Sequence, residues 1–133
     1  MIIGIGTDLV AIDRIQKLWD EFGDRFINRI YSETERQKAL ADVSPAKVLA
    51  SRFAAKEAAA KAIGHAIRDG ILFQDFAITN DAKGRPVLHI SGMANTHLIS
   101  KIPNGYTPQF DLSLSEDGNM AMAFVVISAN PQK

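Results

Sequence analysis

Three short stretches of the chain set charged residues in patterns that could do chemistry. Asp8 follows the apolar run Met1-Ile2-Ile3-Gly4-Ile5-Gly6 and Thr7. That run reads as a buried strand. A carboxylate just past a strand end can be held rigidly at the edge of a site, and hard cations take oxygen ligands. The same position suits an aspartate that caps the following helix. The second stretch is Arg52-Phe53-Ala54-Ala55-Lys56-Glu57-Ala58-Ala59-Ala60-Lys61. On a helix, Phe53, Glu57, Lys61 and Gly64 share one face, and Arg52 and Lys56 form a neighbouring stripe. An exposed helix with a solvated Glu57–Lys61 pair has the same spacing, and pattern alone favours it. Against it, the alanines and Phe53 mark a packed helix, whose charges should converge on something. The third stretch, Gly84-Arg85-Pro86, reads by itself as a tight hairpin turn.

Other chemistries find less support. There is no cysteine, which excludes disulfides, thiolate metal ligands and a cysteine nucleophile. His65, His89 and His97 lack metal-ligand spacing: His65 is expected in a surface loop, His89 on a strand face and His97 on the exposed side of a helix. Gly4-Ile5-Gly6 resembles the start of a dinucleotide loop, but Leu9 stands where the third glycine belongs and no βαβ unit follows. Lys+Arg and Asp+Glu both number 15, so there is no global basic field for nucleic acid, and no basic stripe with interleaved aromatics appears.

The elements that must position these residues follow from periodicity. With 133 residues and 47% hydrophobic content, a single domain spanning 1–133 with one core is expected. Ile12, Ile15, Leu18, Trp19 and Phe22 mark a helix that Gly23 ends. A short helix over 24–30 follows. Ser32 and Glu35 form a capping box that opens a helix to about Leu40. Pro45 opens the longest helix, to Ile63, with Gly64 as its C-cap. Strands are expected over 73–80 and 87–90 around the Asp81–Gly84 turn, a helix over 92–102, and a final hairpin of 110–115 with 120–128. The order predicts an α+β fold, with helices laid on an antiparallel sheet. No apolar run is long enough to span a membrane, no signal-type segment opens the chain, and a cytoplasmic location is expected.

Taken together, the motifs resemble one family. Gly4-Ile5-Gly6-Thr7-Asp8-Leu9-Val10, with Ile12, Arg14 and Ile15 behind it, is similar to the N-terminal signature of holo-acyl-carrier-protein synthases. Arg52 to Ala62 resembles their helical signature, and Gly84-Arg85-Pro86 their Gly-basic-Pro turn. The resemblance spans nearly the whole chain in order. It implies a 4′-phosphopantetheinyl transferase that uses coenzyme A as co-substrate and an acyl carrier protein as acceptor, in support of fatty acid biosynthesis. It implies a homotrimer with active sites between subunits. It implies that Asp8 and Glu57 bind Mg²⁺ and that Lys61 lies near the transferring phosphate. Arg52, Phe53, Lys56, Gly64, Arg85 and Pro86 are the residues it assigns to coenzyme A. Arg14, Arg25, Phe26 and Arg29 match the surface that meets the acidic carrier.

Two departures stand out. Many members carry a histidine after the Ser-x-Ser-like strand, where this chain has Glu116, which alters the expected contacts to the adenosine 3′-phosphate. The stretch Ala41 to Ala46 lacks basic residues that some members place there, with Lys47 as a partial substitute. The proton acceptor stays open between Glu57 itself and a metal-bound water, the water being favoured because ligation lowers the basicity of a carboxylate. Two other readings compete: a different metal-assisted phosphotransferase or hydrolase using the same trio, and a non-catalytic oligomeric binding module. The trio of Asp8, Glu57 and Lys61 argues against the module, which would have no need of it.

Overall fold

A computed structural model describes residues 1–133. The elements run β1 (Ile2–Ala11), α1 (Ile12–Phe22), α2 (Asp24–Ile30), α3 (Glu33–Leu40), α4 (Pro45–Ile63), a 3₁₀ turn (Phe73–Asp75), β2 (Phe76–Asn80), β3 (Pro86–Ile90), α5 (Gly92–Ile99), β4 (Tyr106–Asp117) and β5 (Met120–Pro131). The fold is α+β with antiparallel strands, as expected. The strands form two sheets, however: a three-stranded sheet in the order β1-β5-β4 and a separate β2–β3 hairpin.

The first strand corrects the expected position of Asp8. β1 continues through Ala11, so Asp8 lies inside the strand, opposite Ala123 of β5. Thr7 and Asp8 interrupt the apolar run but not the ladder, because strand pairing is made by backbone groups. Asp8 is therefore not a helix cap. α1 begins directly at Ile12, with Ala11 at its N-cap and no side-chain cap. Asn119, in the β4–β5 turn, pins this junction. Its carbonyl accepts from Ile12 N–H at 2.7 Å and its side-chain oxygen from Asp13 N–H at 3.0 Å.

α4 lies across the inner face of the three-stranded sheet and is buried almost throughout. Pro45 at its first turn, a run of alanines and Gly64 at φ 92° set its limits. Alternation along β1 turns Gly4, Gly6, Asp8 and Val10 towards the helix. Gly4 and Gly6 let the strand backbone approach the helix backbone directly. A Cβ on Gly4 would fall 1.7 Å from the Ala62 carbonyl oxygen, and one on Gly6 1.9 Å from that of Ala58. Ala121, Ala123, Val125 and Ile127 of β5 complete this face of the core.

The opposite face of the sheet has no cover within the chain. Ile5, Leu9, Met122 and Phe124 are all exposed there, and Leu9 pairs with Met122 in the ladder. The remaining boundaries differ from the sequence reading in small ways. Phe73–Asp75 is a 3₁₀ turn, α5 stops at Ile99, and β4 and β5 are longer than expected. Their extra residues are polar or isolated, and the ladder recruits them without needing hydrophobic alternation.

The glycine contacts yield a direct test. Gly6→Ala should destabilise the protein by about 1–3 kcal/mol, the range for forced overpacking, measured by urea unfolding. An unchanged midpoint would mean that the strand and helix can separate freely.

Candidate active site

Asp8, Glu57 and Lys61 meet where β1 crosses α4. Lys61 Nζ donates to Asp8 Oδ1 at 3.1 Å and to the Thr7 carbonyl at 3.0 Å. The lysine thus pairs with the strand aspartate and not with Glu57, one turn earlier on its own helix. The alanines place this turn of α4 against the glycines of β1, so the charges that an exposed helix would give to water point at the strand instead. Glu57 is half-buried. Burial raises its carboxyl pKa first and the Asp8 carboxylate raises it further, while Lys61 and Arg14 lower it.

Two carboxylates that repel each other across a helix–strand contact form a place for a cation. The donors are oxygens on two rigid elements, which fits a hard divalent ion such as Mg²⁺. No group of three or more His, Cys, Asp or Glu side chains gathers anywhere. Further ligands to such an ion would come from substrate oxygens or water.

A pocket of about 290 Å³ opens beside Arg52, lined by Asn80, Gly84 and Pro86 from the hairpin and by Leu112, Ser113 and Leu114 from β4. It unites Arg52, the Gly-Arg-Pro turn and the Ser-x-Ser strand, which are far apart in sequence. The Arg52 guanidinium donates to Ser51 Oγ at 3.0 Å and to Asn80 Oδ1 at 3.3 Å. Burial lowers its pKa, and the carboxylates of Glu35, Glu116 and Asp42 act the other way. Arg85 does not line this pocket; it is largely exposed and paired with Asp81 at 3.1 Å. Glu116 binds Lys47 at 3.2 Å.

A second groove, of about 330 Å³, carries Arg14, Arg25 and Arg29 around an apolar floor that includes Leu18, Phe22, Phe53 and Phe73. Phe26 also lines it, buried and edge-on to Tyr31. Phe53 stacks on Phe73 at 5.4 Å, and the Arg14 guanidinium lies 5.7 Å from the Phe53 ring centre. Arg14 is also close enough to Glu57 to lower its pKa. The groove therefore borders the carboxylate site. Gly64 caps α4 in a left-handed conformation, with Lys101 donating to the neighbouring Ile63 carbonyl.

Lys56 departs from its expected role. Its side chain is fully enclosed and its ammonium lies 2.9 Å from Glu35 Oε1. It also donates to the Phe73 and Phe76 carbonyls. Burial lowers its pKa, which Glu35 partly offsets. It faces the β2 side of α4, about 100° round the helix from Glu57, and is not presented to a ligand. Asn80, Phe73 and Glu35 escaped the sequence reading. Glu35 carried a signal, the capping box, but nothing local showed where its second oxygen points. Of the histidines, His89 bonds Thr79 on the hairpin and the His97 ring lies tilted 4.1 Å from that of His65, all three outside these sites.

This arrangement has known relatives. Residues 4–121 match the 4′-phosphopantetheinyl transferase superfamily, and the chain belongs to that family. A holo-acyl-carrier-protein synthase of Rhodopseudomonas palustris is 47% identical, over 98% of this chain and 96% of that protein. The crystal structure of the holo-acyl-carrier-protein synthase from Neisseria meningitidis is 38% identical with a TM-score of 0.81, covering 96% of this chain and 99% of the other. The Helicobacter pylori holo-acyl-carrier-protein synthase, solved in complex with coenzyme A, is 29% identical with a TM-score of 0.79, covering 93% and 99%. No helix of this chain is long and apolar enough to cross a membrane.

The raised Glu57 pKa has a sign that melting can read. The folded form holds its proton to a higher pH than the unfolded chain does. Stability from this group is therefore present below the unfolded pKa and lost as pH rises through the folded one. Without divalent ions, Glu57→Gln should raise Tm at neutral pH relative to the parent and leave it unchanged near pH 4. Equal shifts at both pH values would show that neither burial nor Asp8 disfavours the Glu57 carboxylate.

Proposed function

We propose that this protein is a Mg²⁺-dependent holo-acyl-carrier-protein synthase, transferring 4′-phosphopantetheine from coenzyme A to a serine of an apo acyl carrier protein. The observation that carries the reading is the convergence of Asp8, Glu57 and Lys61 against a helix that also supplies the buried arginine of one pocket and the floor of a groove rimmed by three. One substrate carries a diphosphate and the other is acidic, and the two recesses offer cations to both.

In this reading Asp8 and Glu57 would hold Mg²⁺, which would supply charge neutralisation on the diphosphate when bound. The serine oxygen attacks the phosphorus that bears pantetheine. A new P–O bond forms, the P–O bond to the nucleotide breaks, and adenosine 3′,5′-bisphosphate leaves. Phosphoryl transfer of this kind depends on positioning and electrostatics more than on covalent help. Lys61 is half-exposed, and its ammonium can turn from Asp8 to the phosphoryl oxygens as charge gathers there. The serine proton goes to Glu57 itself or to a water, the water being favoured because a carboxylate that holds a cation loses basicity.

The nucleotide end falls to Arg52, with Gly84 and Pro86 shaping the wall. Lys47 is engaged by Glu116, so Arg52 carries most of the work of holding the 3′-phosphate. Arg14, Arg25 and Arg29 receive the carrier's acidic residues, and Phe26 supports the groove from beneath. The decisive experiment is mass spectrometry of apo carrier incubated with this protein, coenzyme A and Mg²⁺. The carrier should gain the mass of one phosphopantetheine, EDTA should abolish the gain, and Glu57→Gln should slow it by about 100-fold or more. A nucleotide hydrolysed without modification of the carrier would sink the reading.

The uncovered sheet face supports a homotrimer whose active sites lie between subunits. Apolar side chains gathered on one face mark an association surface. Phe124→Asp should convert the protein to monomers in analytical ultracentrifugation and reduce turnover with coenzyme A by at least about ten-fold. Monomers with full activity would place the whole site within one chain.

A further inference from the structure

The Glu35–Lys56 ion pair is completely buried, with neither side chain exposed. Taking two charges out of water costs several kcal/mol, and apolar residues of similar volume often stabilise a fold as well or better. What apolar residues cannot do is bind particular backbone groups. Here the pair binds four. Glu35 Oε1 accepts from the Ser32 N–H at 2.8 Å, and Oε2 from the Ile78 N–H of β2 at 2.7 Å. Lys56 donates to the carbonyls of Phe73, at 3.3 Å, and of Phe76. No buried polar side-chain atom is left without a partner anywhere, so the network is complete.

We propose that Glu35 and Lys56 are positioning residues for the carrier-binding groove. The inference rests on the groove reading given above. The path is short and physical. Lys56 holds the backbone at both ends of the 3₁₀ turn, through Phe73 at its start and Phe76, the first residue of β2, just after it. Phe73 is thereby set against Phe53, and Arg14 lies over the Phe53 ring. The next residue, Gln74, ties the same turn to α2 by donating to the carbonyls of Asn28 at 2.7 Å and Tyr31 at 3.0 Å. That fixes the turn against the helix that carries Arg25 and Arg29. One enclosed ion pair thus registers the apolar floor of the groove beneath its arginine rim. Apolar substitutes would fill the volume and leave the turn free to slide.

The test separates position from stability. Glu35→Gln, Lys56→Met and the double variant Glu35→Leu/Lys56→Met are compared with the parent in Tm, in KM for carrier and in KM for coenzyme A. Each single change leaves a buried group unpaired and should lower Tm. The double change removes both charges and should recover Tm to near the parent value. All three should raise the carrier KM by about ten-fold, with the coenzyme A KM within about two-fold of the parent. A double variant whose carrier KM returns with its Tm would overturn the proposal, as would parallel rises in both KM values. Arg14→Glu is the control for the groove itself. If it raises the carrier KM and the pair variants do not, the positioning role alone falls. If it leaves the carrier KM unchanged, the groove reading falls, and the inference with it.

Discussion

Backbone lies on backbone where β1 crosses α4. Gly4 and Gly6 meet the carbonyls of Ala62 and Ala58 with no side chain between them. Any side chain at Gly4 or Gly6 would meet these carbonyls and force the two elements apart. That separation would carry Asp8 away from Glu57 and Lys61. The site therefore depends on a contact in which no functional residue takes part. The alanines that flank Glu57 are not filler: they set the distance at which two carboxylates on different elements can face one cation.

The same closeness explains the electrostatics. Burial and then the nearby Asp8 carboxylate raise the Glu57 pKa, and Lys61 answers part of that charge by binding Asp8. Arg14 answers more of it from the groove side. The site is thus strained in charge and rigid in geometry, a combination suited to a metal-assisted transfer. α4 serves three regions at once. Lys61 and Glu57 face β1, Phe53 forms the groove floor, and Arg52 reaches the hairpin pocket. Lys56 turns inward and is used for registration.

Much of this was legible in the sequence, and the physical reason is locality. Pro45, the alanine run and Gly64 fix a helix by rules that act within a few residues, and Ser32 with Glu35 does the same for α3. The strand ends were not legible, because Thr7-Asp8 looks like a stop in a hydrophobic pattern although the β5 ladder continues past it. The enclosure of Lys56 was not legible for a related reason. Helical spacing gives its angle about the axis but not what lies in that direction, and only the fold brings Glu35 there. The pocket beside Arg52 needed Asn80 and Ser113, whose nearness is a property of the hairpin and β4 packing together.

The joint between β1 and α1 has a further consequence. The strand bearing Asp8 passes into the helix bearing Arg14 without an intervening loop, and Asn119 clamps the first two helical amides. Five residues of continuous secondary structure separate the two side chains, so their spacing cannot be absorbed by slack. Deleting or inserting one residue there would swing Arg14 about 100° around the helix axis, off the Phe53 ring. Natural length variation should therefore be confined to loops elsewhere, and this segment should behave as a ruler of fixed length between the Asp8 carboxylate and the arginine rim of the groove.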